Sequence, residues 1–504
     1  MSYALAYSRS QIGLDALTIL VETHLANGLP SFNIVGLPET TVRESRERVR
    51  SELINSGFEF PQRRITVNLA PGDIPKDGTR FDLAIAIGIL AASGQVPSAA
   101  LQSHEFVGEL ALDGALRGVG AALATALAAR RDGRCLVLAE VDAGEAAVVS
   151  GLRIGAAPSL RDSAHHLSGQ VMLRDACSMP RPSTMPSEPP DLADIRAQHR
   201  ARRALEIAAA GGHNLLFIGP PGTGKSMLAA RLPGILPALD EEQALEVAAL
   251  HSLAGLSRRG CDWRARPYRA PHHSASTVAL IGGGRVPRPG EISLAHHGVL
   301  FLDELPEFER RALEALREPL ETQLIDIARA ARAVRFPAAF QLVCAMNSCP
   351  CGYQGDPLQQ CICTPERIAA YRARISGPLA ERIDLHVEVP RQTRELLQPP
   401  RDVEVSAAVR ERVISMRDLQ QARQACINGV LQSAFIERHC GLTANAQRLL
   451  GHALERLGLS ARGLHKVLRV ARTIADMSAA ATIDEAHIAE AISYRLLDRR
   501  VRSS

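Results

Sequence analysis

The sequence predicts a mixed α/β protein with a parallel sheet at its centre, and three observations carry that expectation. An apolar run over 213–218 passes at once into a glycine-rich octet and then a helical stretch from Met227, a strand–loop–helix unit. Further apolar runs over 298–304 and 340–347 each end in polar side chains, as buried strands do when they deliver chemistry at one sheet edge. After Pro390 strand patterns cease, and 403–425 and 443–499 read as helices, one of them opened by a capping box over 482–485.

At 504 residues the chain is too long for one core, and its composition divides it. Residues 1–172 mix β-branched runs (17–21 and 64–69) with alanine-rich helical stretches such as 120–129, and read as an α+β domain. Residues 173–190 hold five prolines and little to bury, and read as a linker. The parallel-sheet module occupies 191–392, entered through a helical stretch over 191–210, and 393–504 form a helical domain.

The bulk numbers exclude several classes. Hydrophobic content of 46% with 22% charged residues is ordinary for a soluble globular chain. Aromatic content of 4%, with one Trp, argues against broad base-stacking surfaces. A net charge of +4 leaves any basic surface local, as in a narrow pore. The apolar stretch over 83–93 is shorter than the roughly 18 residues of a membrane span. Residues 1–11 lack the basic-then-apolar order of a secretory signal. A cytoplasmic protein without a membrane partner is expected, its ten cysteines reduced.

The octet is Gly219, Pro220, Pro221, Gly222, Thr223, Gly224, Lys225 and Ser226, which fits G-x-x-x-x-G-K-[ST] in the right strand–loop–helix context. Its glycines let backbone N–H groups close around a phosphate, and the helix N-terminus adds positive potential. Lys225 is expected to bridge the β- and γ-phosphates of ATP, and Ser226 to bind Mg²⁺. Downstream, the strand over 298–304 delivers Asp303 to the same metal and Glu304 to an attacking water, where it would serve as base. Asn347, at the end of the next apolar run, would orient that water, the alternative being an ordinary turn asparagine. Arg382 is placed to reach the γ-phosphate of a neighbouring subunit, or else makes a surface ion pair. Arg462, in the first turn of an amphipathic helix opened by Ser460, would point at bound nucleotide.

Cys349, Cys351, Cys361 and Cys363 form two close pairs on a turn-rich loop (349–363), a donor set for structural Zn²⁺. Free thiols and a redox disulfide are the alternatives. The histidine pairs 272–273 and 296–297 read as structural or pore-lining, because neighbours on an extended segment face opposite ways.

Several longer motifs carry a resemblance. Arg-Ala-Pro-His-His-Ser-Ala-Ser at 269–276, Pro-Gly-Glu-Ile-Ser-Leu-Ala-His-His-Gly at 289–298 and Cys-Pro-Cys-Gly at 349–352 resemble the YifB/ComM family of magnesium-chelatase-like AAA+ ATPases. Ile-Ser-Gly-Pro-Leu at 375–379 and Ala-Arg-Thr-Ile-Ala-Asp at 471–476 match it too, so the likeness spans essentially the whole chain. It implies a homo-hexameric ring that hydrolyses ATP and drives branch migration of DNA in recombination and natural transformation. Asn347 becomes sensor 1, Arg382 the trans-acting finger and Arg462 sensor 2. Two pore inserts are implied, one near 276–293 with Arg285 and Arg288, one a hairpin near 324–336 with Arg329, Arg332 and Arg335. Arginines there would track a phosphate backbone without reading bases; ordinary solvated loops are the alternative. The chain departs from the family in having Leu-Ala-Glu-Arg before Ile383, and Ala197 where a glycine is usual.

The segments at 76–84 and 108–117 resemble the Lon-type serine–lysine protease domain. Arg80 stands where that family has its nucleophile, and Leu123 near where it has the activating lysine, so no acyl-enzyme can form. A Lon-like fold kept for assembly or DNA contact is implied. The competing functions are a magnesium-chelatase-type ATPase subunit, a protein-remodelling ATPase or scaffold, and an ATP-dependent protease.

Overall fold

The computed structural model describes residues 2–176, 190–256, 263–284, 287–329, 332–392 and 404–495. Most of the stretch read as a linker and Arg285 lie outside them. The chain folds as two compact units, one of Met1–Pro186 with Ala244–Trp263, the other of Ser187–Gln243 with Arg264–Ser504.

In the first unit, Ser2–Ile12 and Asp15–Ala26 form a long antiparallel ladder that continues to Arg64–Ala70, on which the edge strand Ser31–Val35 pairs in parallel. Val21, Thr23 and Leu25 pair with Leu69, Val67 and Ile65 and turn one face inward, the period-two pattern of a half-buried sheet. The helix Asp82–Ala92, apolar on every side, is buried along its whole length. A Cβ at Gly88 would lie 2.5 Å from the Thr23 hydroxyl, so only glycine lets this helix approach the sheet so closely. Among the described residues no helix is long and apolar enough to cross a membrane. A second sheet runs Arg174–Asp175, Ile154–Ala157, Cys135–Ala139, His104–Val107. Strand pairing thus enters the stretch read as linker, through two exposed charged residues that give no hydrophobic signal.

The sequence reading kept 244–263 inside the 191–392 module, but the structure groups them with the first unit. Leu245 and Ala249 of the helix Glu241–Leu253 bury themselves among Leu136, Leu138 and Ile154. Apolar periodicity reveals a buried face; it does not say which core receives it.

The second unit is built on five parallel strands in the order Tyr268–Arg269, Val299–Leu302, Gln341–Met346, Leu215–Ile218, Leu385–Glu388. The three central strands are buried throughout, as their unbroken apolar runs require. Their carboxyl ends meet at one edge, where Gly219, Asp303 and Asn347 begin the loops. The predicted helix over 191–210 starts only at His199, because Ala197 and Gln198 take left-handed backbone (φ 55° and 51°). The glycine usual at 197 is thereby explained, since it would hold that conformation without strain. The C-terminal helices Ser406–Gln424, Ala444–Leu457, Ala461–Met477 and Glu485–Ser493 share one core with the sheet through Val409, Leu450, Val467 and Ile488. The last helix is capped by Asp484 with His487 as reciprocal partner, two residues beyond the expected box, because Asp484 is the stronger acceptor.

Candidate active site

The glycine-rich loop turns through left-handed Gly222 and Gly224 (φ 75° and 85°) into the helix Lys225–Ile235. A Cβ at either glycine would meet nothing within 4 Å, so the cradle is open and lined by backbone at a helix N-terminus. The Lys225 ammonium lies inside it, donating to Gly219 O and Pro220 O (both 2.8 Å) and Asn347 Oδ1 (3.3 Å). Burial pushes this amine down to about 8, against the pull of Asp303 and Glu304. Ser226 Oγ donates to Asp303 Oδ2 at 2.6 Å, so a hydroxyl and a carboxylate converge where a hard cation takes oxygen ligands. The residues present therefore fit both a phosphate chain and Mg²⁺.

Glu304 follows Asp303 in left-handed backbone (φ 52°), a strained position for glutamate that fixes where its side chain leaves the strand. Its Oε2 lies 3.1 Å from His273 Nδ1. Sequence reasoning missed this contact because it assumed an extended segment. The chain instead turns there (Ala275 N donates to His272 O, 2.9 Å) and the two rings lie 4.0 Å apart. The rings of the second pair also lie close, 3.8 Å apart and tilted by 41°, with His297 left-handed and the buried His296 accepting from Ala339 N.

The cysteine loop sits directly behind Asn347. Cys349, Cys351 and Cys361 have sulfurs 3.4–3.6 Å apart, and all four thiols, Cys363 included, lie within 4.8 Å of one another. Tetrahedral zinc with bonds of about 2.3 Å needs sulfurs about 3.8 Å apart, whereas a disulfide needs about 2.05 Å. Backbone N–H groups of Tyr353 and Ile362 bring Cys351 down to about 6, a thiol poised to lose its proton. The loop also touches the phosphate cradle, since a Cβ on left-handed Gly352 would stand 2.8 Å from Pro221.

Arg382 and Arg462 meet elsewhere. Arg382 donates to Pro378 O (2.6 Å) and to Glu321, and Arg462 approaches the same Glu321 carboxylate at 3.8 Å. Both line a cavity of about 690 Å³ with His465, Lys466 and Arg469. In its wall Lys466 and Asp384 form a largely buried ion pair at 2.5 Å, and Asp384 also accepts from Asn214 N. Of the predicted insert arginines, Arg288 is exposed on the short hairpin Gly282–Gly283 with Arg288–Pro289. Arg329 and Arg332 pair in backbone register at the end of the hairpin Leu324–Arg329 with Arg332–Pro337. Arg335 on that hairpin is engaged by Asp326 at 2.7 and 3.0 Å.

A parallel sheet carrying a glycine-rich phosphate cradle, with acidic and amide side chains at the same edge, defines a P-loop nucleotide-binding module. The comparisons agree on a narrower family. Residues 191–397 match magnesium chelatase, subunit ChlI; 21–142 match subunit ChlI of Mg-chelatase; and 403–495 match magnesium chelatase, subunit ChlI C-terminal. The chain is 49% identical over 503 residues to competence protein ComM of Haemophilus influenzae, covering 99% of this chain and 98% of that one. It is 48% identical over 501 residues to YifB of Salmonella typhimurium (99% and 98% covered), and 40% identical over 502 residues to a protein of Mycobacterium bovis (98% and 99% covered). The chain belongs to the magnesium-chelatase-like family of YifB and ComM proteins.

Proposed function

We propose that this protein is an ATP-hydrolysing ring motor of the AAA+ class that acts on DNA, as a ComM-like branch-migration helicase. The observation that carries the ATPase reading is the convergence of Lys225, Ser226, Asp303, Glu304 and Asn347 on one open cradle. Bound ATP with Mg²⁺ supplies the phosphoanhydride and the charge to be neutralised. Lys225 holds the β- and γ-phosphates, and Ser226 and Asp303 hold the cation. Glu304 takes a proton from the attacking water, which Asn347 orients.

Arg382 and Arg462 cluster on Glu321, while the phosphate loop's own contacts run to Asp303 and Asn347. That separation supports a site completed by a second copy, whose arginines reach across to the nucleotide. DNA as the substrate rests on full-length likeness to a protein named for competence and on the arginine-bearing inserts. Magnesium-chelatase-type or protein-remodelling activity is the outcome if DNA has no effect.

Four convergent thiols support a structural Zn²⁺ that braces the loop against Pro221 and Asn347. The N-terminal unit reads as a Lon-like fold without its chemistry. Arg80 is buried and donates to carbonyls of Arg9 and Gly120, and Leu123 is wholly buried, so neither offers a nucleophile.

The test is nucleotide binding and turnover in two variants. Lys225→Ala should lose binding of a fluorescent ATP analogue, and Glu304→Gln should bind it and fail to turn it over. Normal turnover in either variant sinks the site assignment.

A further inference from the structure

We propose that Glu321 is a positioning residue of the shared nucleotide site, holding Arg382 and Arg462 together for the phosphates of ATP bound to a second copy. It rests on reading those two arginines as completing the second copy's site, and it names what sets their geometry. Two guanidiniums repel, and each long side chain has many rotamers to lose. Neither arginine alone stays where an incoming phosphate needs it.

One carboxylate answers both difficulties. Arg382 Nη2 donates to Glu321 Oε1, and Arg462 Nη2 lies 3.8 Å from the same oxygen. Arg382 also donates through Nη1 to Pro378 O (2.6 Å), so its guanidinium is gripped at two points, with its side chain only 11% exposed. Arg462 is 67% exposed and makes the looser contact, which leaves it free to turn toward a ligand. Glu321 cancels one of the two positive charges, so the group keeps a net positive charge for phosphate.

The carboxylate is fixed from below. Glu321 sits on the single turn Pro319–Thr322, closed by Gln323 in left-handed backbone (φ 59°), whose N–H donates to Pro319 O (2.9 Å). Ala338 N donates to Gln323 O (2.7 Å), and Thr322 Oγ accepts from Leu324 N (3.2 Å), so both feet of the hairpin over 324–337 anchor that turn. On the other side, Asn214 Nδ2 donates to Arg382 O (3.0 Å) just before the strand that leads to the phosphate loop. Acid and arginine therefore project from fixed backbone, as accurate placement of a charged group requires.

The experiment is steady-state ATPase of the full-length protein, alone and in mixtures, for Glu321→Ala, Glu321→Gln, Arg382→Ala and Glu304→Gln. Glu321→Ala should lower kcat about tenfold, equivalent to about 1.4 kcal/mol, with KM for ATP unchanged. Glu321→Gln keeps a carbonyl oxygen that accepts from Arg382 and should recover about half of the wild-type kcat. The defect lies in what a chain lends its neighbour. Glu321→Ala mixed with Glu304→Gln should therefore turn over ATP faster than the sum of the two alone, the second chain lending intact arginines to the first. Wild-type kcat in Glu321→Ala overturns the proposal, as does a Glu321→Gln variant no better than Glu321→Ala. Arg382→Ala mixed with Glu304→Gln is the control. If that mixture recovers and the Glu321→Ala mixture does not, Glu321 does not act through the arginines; if neither recovers, the shared-site reading falls instead.

Discussion

At the scale of a single residue, the proposed nucleotide chemistry turns on Lys225. Its amine is brought down to about 8 by burial, whereas bound phosphate requires it charged. Nucleotide binding then takes up a proton once the free lysine has lost its own. Affinity should be level below about pH 8 and fall as pH rises above it, by up to about tenfold per unit until the bound form also titrates. Fluorescent-nucleotide titrations at pH 7 and 9.5 check this; equal affinity at both would show that Lys225 does not contact phosphate. The clustering of Lys225 with Ser226, Asp303 and Asn347 was legible in the sequence, because Asp303 and Asn347 follow apolar strands and Lys225 and Ser226 open the helix after a glycine-rich loop that follows a third. His273 was not. Its position depends on a turn that two adjacent histidines do not announce, and Glu304 sits in a left-handed conformation that sequence does not encode.

Elements add what residues alone do not explain. The strand Leu385–Glu388 and the helix Ala461–Met477 are clamped by Asp384 and Lys466, both largely buried in the wall of the cavity. Lys466→Met leaves an uncompensated buried carboxylate and should cost about 3–5 kcal/mol in denaturant unfolding. Adding Asp384→Asn should recover part of that loss, and a single variant as stable as wild type would refute the clamp. The cysteine loop makes a second element-scale prediction. Purified protein should hold about one zinc per chain, lost in Cys351→Ser and Cys361→Ser, as read by metal analysis. Four thiols titratable without a chelator, and no metal, would favour free cysteines. The loop was legible because paired cysteines in a turn-rich stretch are unusual. Its contact with Pro221 was hidden, since it depends on the left-handed turn at Gly352. The helix Glu241–Leu253 was not singled out in the sequence, and its buried face fits a core distant in sequence.

At the scale of the whole molecule the fold class followed from hydrophobic patterning, while the division into units did not follow sequence order. Ala244–Trp263 leaves one unit for the other, so a contiguous reading of domains fails there. The proposed assembly rests on more local features. Arg382 and Arg462 gather on Glu321, beside a basic cavity and away from the contacts of Lys225, as a site shared between copies requires. The most direct test of a DNA-driven ring motor is the ATPase rate of wild type and Arg382→Ala, with and without single-stranded and branched DNA. Stimulation by DNA in wild type and its loss in Arg382→Ala is the predicted result. Robust ATPase indifferent to every DNA, and unchanged in Arg382→Ala, would contradict it.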